Sequence, residues 1–208
     1  MKLVEDINGY KTTHIIINGN GTSPDLLILK KICEMYDGTN KIILYPRTPL
    51  KRHSGLSALQ KIYTHLNEGY RNIIFIVDSE HIQSDANAEI KKELIGIIVN
   101  EETRLKDAFL LDCQYGNRQF NLYCNISGFT NCIEEELKTL IEAKLCINIE
   151  VSSVRKDAEW RNELKNAIKR QVSRKDLRQL LNNTNKREFE SHFSNLCAIF
   201  REIENKYI

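Results

Sequence analysis

The chain has no Cys-x-x-Cys pair, no Gly-Lys-Ser/Thr step behind a glycine turn, and no apolar run near the roughly 18 residues that a membrane span needs. Each absence removes a class. The six cysteines, Cys33, Cys113, Cys124, Cys132, Cys146 and Cys197, are scattered, which argues against a zinc ribbon. Cys33 and Cys197 fall inside helical apolar patterns and read as small core residues. Charge of one sign is scarce as well: the net charge is +2, so any nucleic-acid surface has to be a local patch. There is no internal repeat and no low-complexity segment. The first ten residues are mixed and polar, unlike a signal peptide. These features lead to the expectation of a reduced, soluble, cytoplasmic protein with no membrane partner.

What is present is ordinary in amount and informative in order. With 208 residues and 41% hydrophobic content, the chain suits one large domain, or one domain with an appendage, that needs no disulfides. Residues 13–17 carry Ile15, Ile16 and Ile17, a short buried strand, and Asn18-Gly19-Asn20-Gly21 follows as a loop signal. Ser23, Pro24 and Asp25 read as cap, first-turn proline and first-turn acid of a helix ending near Tyr36. Residues 41–45 are a second strand stopped by Pro46. Leu56, Leu59, Ile62, Tyr63 and Leu66 step at helical spacing, and residues 72–77 form a third strand. A helix is expected over 86–98, with Ile90, Leu94 and Ile97 or Ile98 inward. Strands are expected over 108–113, 120–126 and 146–151, with a helix over 131–143 between the last two. From Val154 onward the pattern is helical, with Trp160, Leu164 and Ile168 on one face. Strand and helix alternating in this way specify an α/β fold: a Rossmann-like, mostly parallel sheet with helices on both faces. The expected division is an α/β domain over 1–151 and a helical C-terminal extension over 152–208 packed on it.

Four constellations carry possible chemistry. In residues 72–80 five apolar residues end abruptly in Asp78 and Glu80, at the carboxyl edge where open sheets bind ligands. Two carboxylates at i and i+2 can converge on one divalent cation, or Asp78 caps a turn while Glu80 is solvated. His81 is adjacent as a ligand or proton carrier. The turn with Gly19 and Gly21 allows close backbone approach ahead of a helix N-terminus, which suits a phosphate or carboxylate, or is a plain strand-to-helix turn. The basic loop with Arg47, Lys51, Arg52 and His53 should emerge on the same sheet edge and meet phosphates there, or be solvated. Glu134, Glu135 and Glu136 read as support for a helix N-terminus, with at most one aimed into a cleft.

Taken together, Ile15-Ile16-Ile17-Asn18-Gly19 (or the overlapping Asn20-Gly21-Thr22-Ser23) and Ile76-Val77-Asp78-Ser79-Glu80 resemble the TOPRIM fold. They resemble in particular the small TOPRIM-like proteins found in prokaryotic defence loci and beside nucleases of the overcoming-lysogenization-defect type. It covers roughly residues 12–145. That family ends its first strand in Glu-Gly and a later one in Asp-x-Asp. Here an asparagine, Asn18 or Asn20, replaces the glutamate, and Glu80 replaces the second aspartate. The resemblance implies binding or processing of nucleic-acid or nucleotide phosphodiesters. If active, the chain would be a Mg2+-dependent phosphodiester hydrolase or transferase with Asp78 and Glu80 holding the metal, and Arg47, Lys51 and Arg52 holding phosphates. An amide cannot transfer a proton as a carboxylate does. The alternative is therefore a noncatalytic binding or scaffold subunit of a defence or nucleic-acid-processing complex. A flavodoxin-like binder of nucleotides or small anions is a third option.

Overall fold

A computed structural model describes residues 1–7, 9, 11–19, 24–46, 54–130, 132–151 and 158–206. Its centre is a seven-stranded, mostly parallel sheet. The strands are β1 (Lys2–Val4), β2 (His14–Asn18), β3 (Ile42–Leu44), β4 (Asn72–Asp78), β5 (Ile98–Leu105), β6 (Ala108–Tyr115) and β7 (Arg118–Ser127). The helices are α1 (Asp25–Met35), α2 (Ile62–Asn67), α3 (Ala86–Glu93), α4 (Ile133–Leu145), α5 (Ala158–Gln171), α6 (Arg174–Asn183), α7 (Lys186–His192) and α8 (Ser194–Asn205). Short 3-10 segments at Gly55–Lys61 and Ser79–His81 precede α2 and follow β4. The strand order is β1-β3-β2-β4-β7-β6-β5, parallel from β1 through β7 and antiparallel at β6 and β5.

Alternation along the strands divides two cores. Ile15, Ile17, Ile73, Phe75 and Val77 face the layer containing α2 and α3. Ile16, Ile74 and Ile76 face α1, α4 and the C-terminal helices. Strands buried on both faces explain the unbroken apolar runs. Among the later helices, α8 packs on β7, β6 and β5, α6 on α1, and α5 and α7 on α4, so they share one core with the sheet. No helix among the described residues is long and apolar enough to cross a membrane.

Two local expectations differ from the structure, and two strands were not expected. The helix expected over 86–98 stops at Glu93: Leu94 leaves the helical backbone, Gly96 has positive φ, and β5 begins at Ile98. Ile90 and Leu94 are inward and Ile97 packs half-buried against the same core, whereas Ile98 is 61% exposed at the start of the edge strand. Residues 146–151 are not a strand. Cys146 ends α4 in the left-handed region, and the Ile149 N–H bonds the Glu142 carboxylate instead of a neighbouring strand. β1, too short to carry a period, and β5, an edge strand with mostly exposed residues, were not foreseen.

Candidate functional site

Parallel strands share a carboxyl edge, and β2, β4 and β7 bring Asn18, Asp78 and Ser127 to it side by side. Asn18 lies opposite Ile76 on β4 and donates from Nδ2 to the Tyr45 hydroxyl at 2.6 Å. Gly19 follows, its N–H bonding Ile76 O at 2.8 Å and its carbonyl accepting from Gly55 N at 2.9 Å. A Cβ on Gly19 would sit 2.7 Å from the Gly55 oxygen, and one on Gly55 would meet the His81 ring at 2.8 Å. Gly19 is thus required for close packing of chain on chain, and its own amide is engaged by protein. Gly21, Asn20, Arg47, Lys51, Arg52 and His53 lie outside the described residues.

Asp78 and Glu80 have different surroundings. Asp78 ends β4, is 3% exposed, and accepts from the Ile133 N–H at the start of α4 at 3.1 Å. Burial pushes its pKa up to about 8, the charges of Asp25 and Glu134 add to the rise, and the Ile133 N–H and Lys165 oppose it. At neutral pH the carboxyl is largely protonated. Glu80, two residues on in the 3-10 turn, forms an ion pair with Arg161 of α5. His81 Nε2 lies 3.6 Å from the same Glu80 oxygen, and burial lowers the His81 pKa below its ordinary value.

Two further carboxylates join Asp78. Asp25, in the first turn of α1, is 2% exposed, and its charge raises the Tyr45 hydroxyl's pKa after burial has done so. Glu134, in the first turn of α4, is 3% exposed and pairs with Lys165 Nζ at 3.0 Å. Cys132 is buried beside Glu134 and Asp78, and burial and those charges hold its thiol protonated. The other two glutamates serve the helix start. Glu135 accepts from the N–H and hydroxyl of Thr130, and Glu136, buried and hydrogen-bonded by the Gly128 backbone, is pushed up to about 8.

Acids from β4, α1 and α4 therefore meet two cations from α5. Sequence reasoning placed Asp78 and Glu80 at this edge and missed Asp25, Glu134, Arg161 and Lys165 as their companions. A signal was present: with Trp160, Leu164 and Ile168 inward, Arg161, Lys165 and Lys169 form the adjacent stripe at the same spacing.

The fit to Mg2+ rests on these contacts. A magnesium site needs ionised oxygen ligands free to face the ion. Asp78 is buried and turned to the Ile133 N–H, and Glu80 is paired with the Arg161 guanidinium. Among the described residues no group of three His, Cys, Asp or Glu side chains has a metal-holding arrangement. In this arrangement both carboxyls are already engaged by protein donors. Comparison of the chain with known families, curated proteins and solved structures finds no match.

Proposed function

We propose that this protein is a TOPRIM-like subunit that binds nucleic-acid or nucleotide phosphodiesters without hydrolysing them. The observation that carries this is the Arg161–Glu80 ion pair beside a buried Asp78. Hydrolysis of the kind the resemblance implies needs ionised carboxylates open to a cation and a group that transfers a proton. Here one acid is ion-paired and the other is buried and hydrogen-bonded by the Ile133 N–H, and Asn18, held by Tyr45, cannot move a proton.

Support for binding comes from α5 and α6. Residues 158–178 contain seven Lys or Arg and three acids in a chain whose net charge is only +2. Such a local excess attracts phosphates by releasing their counterions. The resemblance supports a place in a cytoplasmic defence or nucleic-acid-processing complex with a protein partner.

The test is fluorescence anisotropy with labelled single-stranded DNA and RNA across salt concentrations. Two triple alanine variants serve, one at Arg170, Lys175 and Arg178, the other at Arg47, Lys51 and Arg52. Each is expected to weaken binding and flatten its salt dependence, and unchanged slopes in both would sink the reading. The opposite outcome would be a Mg2+-dependent hydrolase or transferase. Its sign would be metal-dependent cleavage lost in Asp78→Ala.

A further inference from the structure

We propose that β5 is a homodimer interface: a second copy of the chain lays its own β5 antiparallel along this one, with Glu102 of each copy opposite Arg104 of the other. β5 ends the strand order, and among the described residues no strand pairs with its outer side. It has eight residues, mostly exposed, whereas β1 at the other edge has three. Outward N–H and C=O groups along a strand of that length are a template for another strand. The interface does not depend on phosphodiester binding.

The hairpin fixes which backbone groups face outward. β5 and β6 join through a turn at Lys106 and Asp107, with Lys106 at φ +63 and Leu105 opposite Ala108. The pair that closes such a turn is hydrogen-bonded, and bonded pairs alternate from there. Leu105, Thr103 and Glu101 therefore bond β6, while Glu102 and Arg104 aim their N–H and C=O away from it. Both lie on the α3 face: they stand opposite Leu111 and Phe109 of that core, and Glu102 pairs with Lys91 of α3 at 2.8 Å. A two-fold axis normal to the sheet sets two copies of one strand side by side and antiparallel, and each face then continues across the join. Residues that meet must share a face and an outward backbone. The registers that satisfy this set Glu102 on Glu102, Arg104 on Arg104, or Glu102 on Arg104. In the first two, like charges repel. The last centres on Thr103 and forms its opposite-charge pair twice. Charge commonly guards an edge strand, but a guard works by repulsion, and here the signs alternate. The same register carries the second copy's turn towards Ile98, left exposed at the head of β5.

Sedimentation of the whole chain over a range of concentrations tests this. A reversible dimer is expected. Glu102→Arg and Arg104→Glu should each weaken it about tenfold or more, because both symmetry-related pairs turn from attraction to repulsion, and the two changes together should restore it. Both residues are exposed, so the fold should survive each change. A further variant reads the register without relying on charge. With the exposed Cys146 replaced by serine, Thr103→Cys sets two thiols on the axis, where the Cα atoms of such a pair lie about 4.5 Å apart, within disulfide reach. Mild oxidation should then link two chains. A monomer at every concentration, a dimer indifferent to both single variants or not restored by the charge swap, or no link in Thr103→Cys would overturn the interface.

Discussion

At Asp78, burial and two neighbouring acids raise the pKa while one N–H and one lysine lower it, and burial prevails. Asp78 and Glu136, both pushed up to about 8, hold protons in the folded chain that the unfolded chain has released. Stability therefore falls as pH rises from their ordinary values towards 8. His14 works in the opposite direction. Burial lowers it to about 3, so acidification below its ordinary 6.5 protonates only the unfolded chain and costs stability. The window to read lies between about pH 7 and 7.5, above the ordinary 6.5 of His14, His81 and His192 and below Lys41, whose amine burial lowers to about 8. Urea unfolding is expected to show a midpoint that falls across this window, with Asp78→Asn and Glu136→Gln each flattening the slope. A flat or rising midpoint in the natural chain would contradict the burial argument. Arg161 acts at the same scale. Arg161→Ala strips the counter-charge from Glu80, so divalent affinity measured by calorimetry should rise. An unchanged affinity would mean that Arg161 is not what disfavours a cation there.

Among the elements, α4 shows how a helix start is built into the site. Its N-terminal loop turns at Gly128 with φ +83, where a Cβ would strike the Cys132 backbone. Gly128→Ala should cost about 2 kcal/mol or more in denaturant unfolding, as strain and clash add. Glu135→Ala, which removes the acceptor for both Thr130 bonds, should cost about 1–2 kcal/mol. A loss under about 0.5 kcal/mol in both would deny the loop any structural role. Legibility also differed by element. β2, β3 and β4 were readable because strands buried on both faces leave a continuous apolar run ending in polar residues. The boundary between α3 and β5 was not, because Ile95 and Ile98 are apolar residues left exposed on an edge. The edge position of Asp78 could be read from its strand. The stripe of Arg161 and Lys165 could be read too, but not its destination, because only tertiary packing brings Asp25, Glu134 and that stripe to Asp78.

Over the whole molecule, the sheet has two apolar faces, and the C-terminal helices complete one of them. Phe200 of α8 is fully buried in the core formed with Ile74, Ile76 and Tyr123. Phe200→Ala should cost about 3–5 kcal/mol by removing an aromatic side chain from that shared core. A cost below about 1 kcal/mol would show that the helices are only loosely attached. Those same helices bring Arg161 and Lys165 to the carboxyl edge, so the packing that covers the sheet also neutralises its acids. The central claim is that the protein binds phosphodiesters and leaves them intact. The most direct measurement incubates the whole chain with end-labelled DNA and RNA in Mg2+ and reads retention and strand length in one experiment. The account predicts salt-sensitive retention of full-length strands, whereas Mg2+-dependent shortening by the natural chain, abolished by Asp78→Ala, would contradict it.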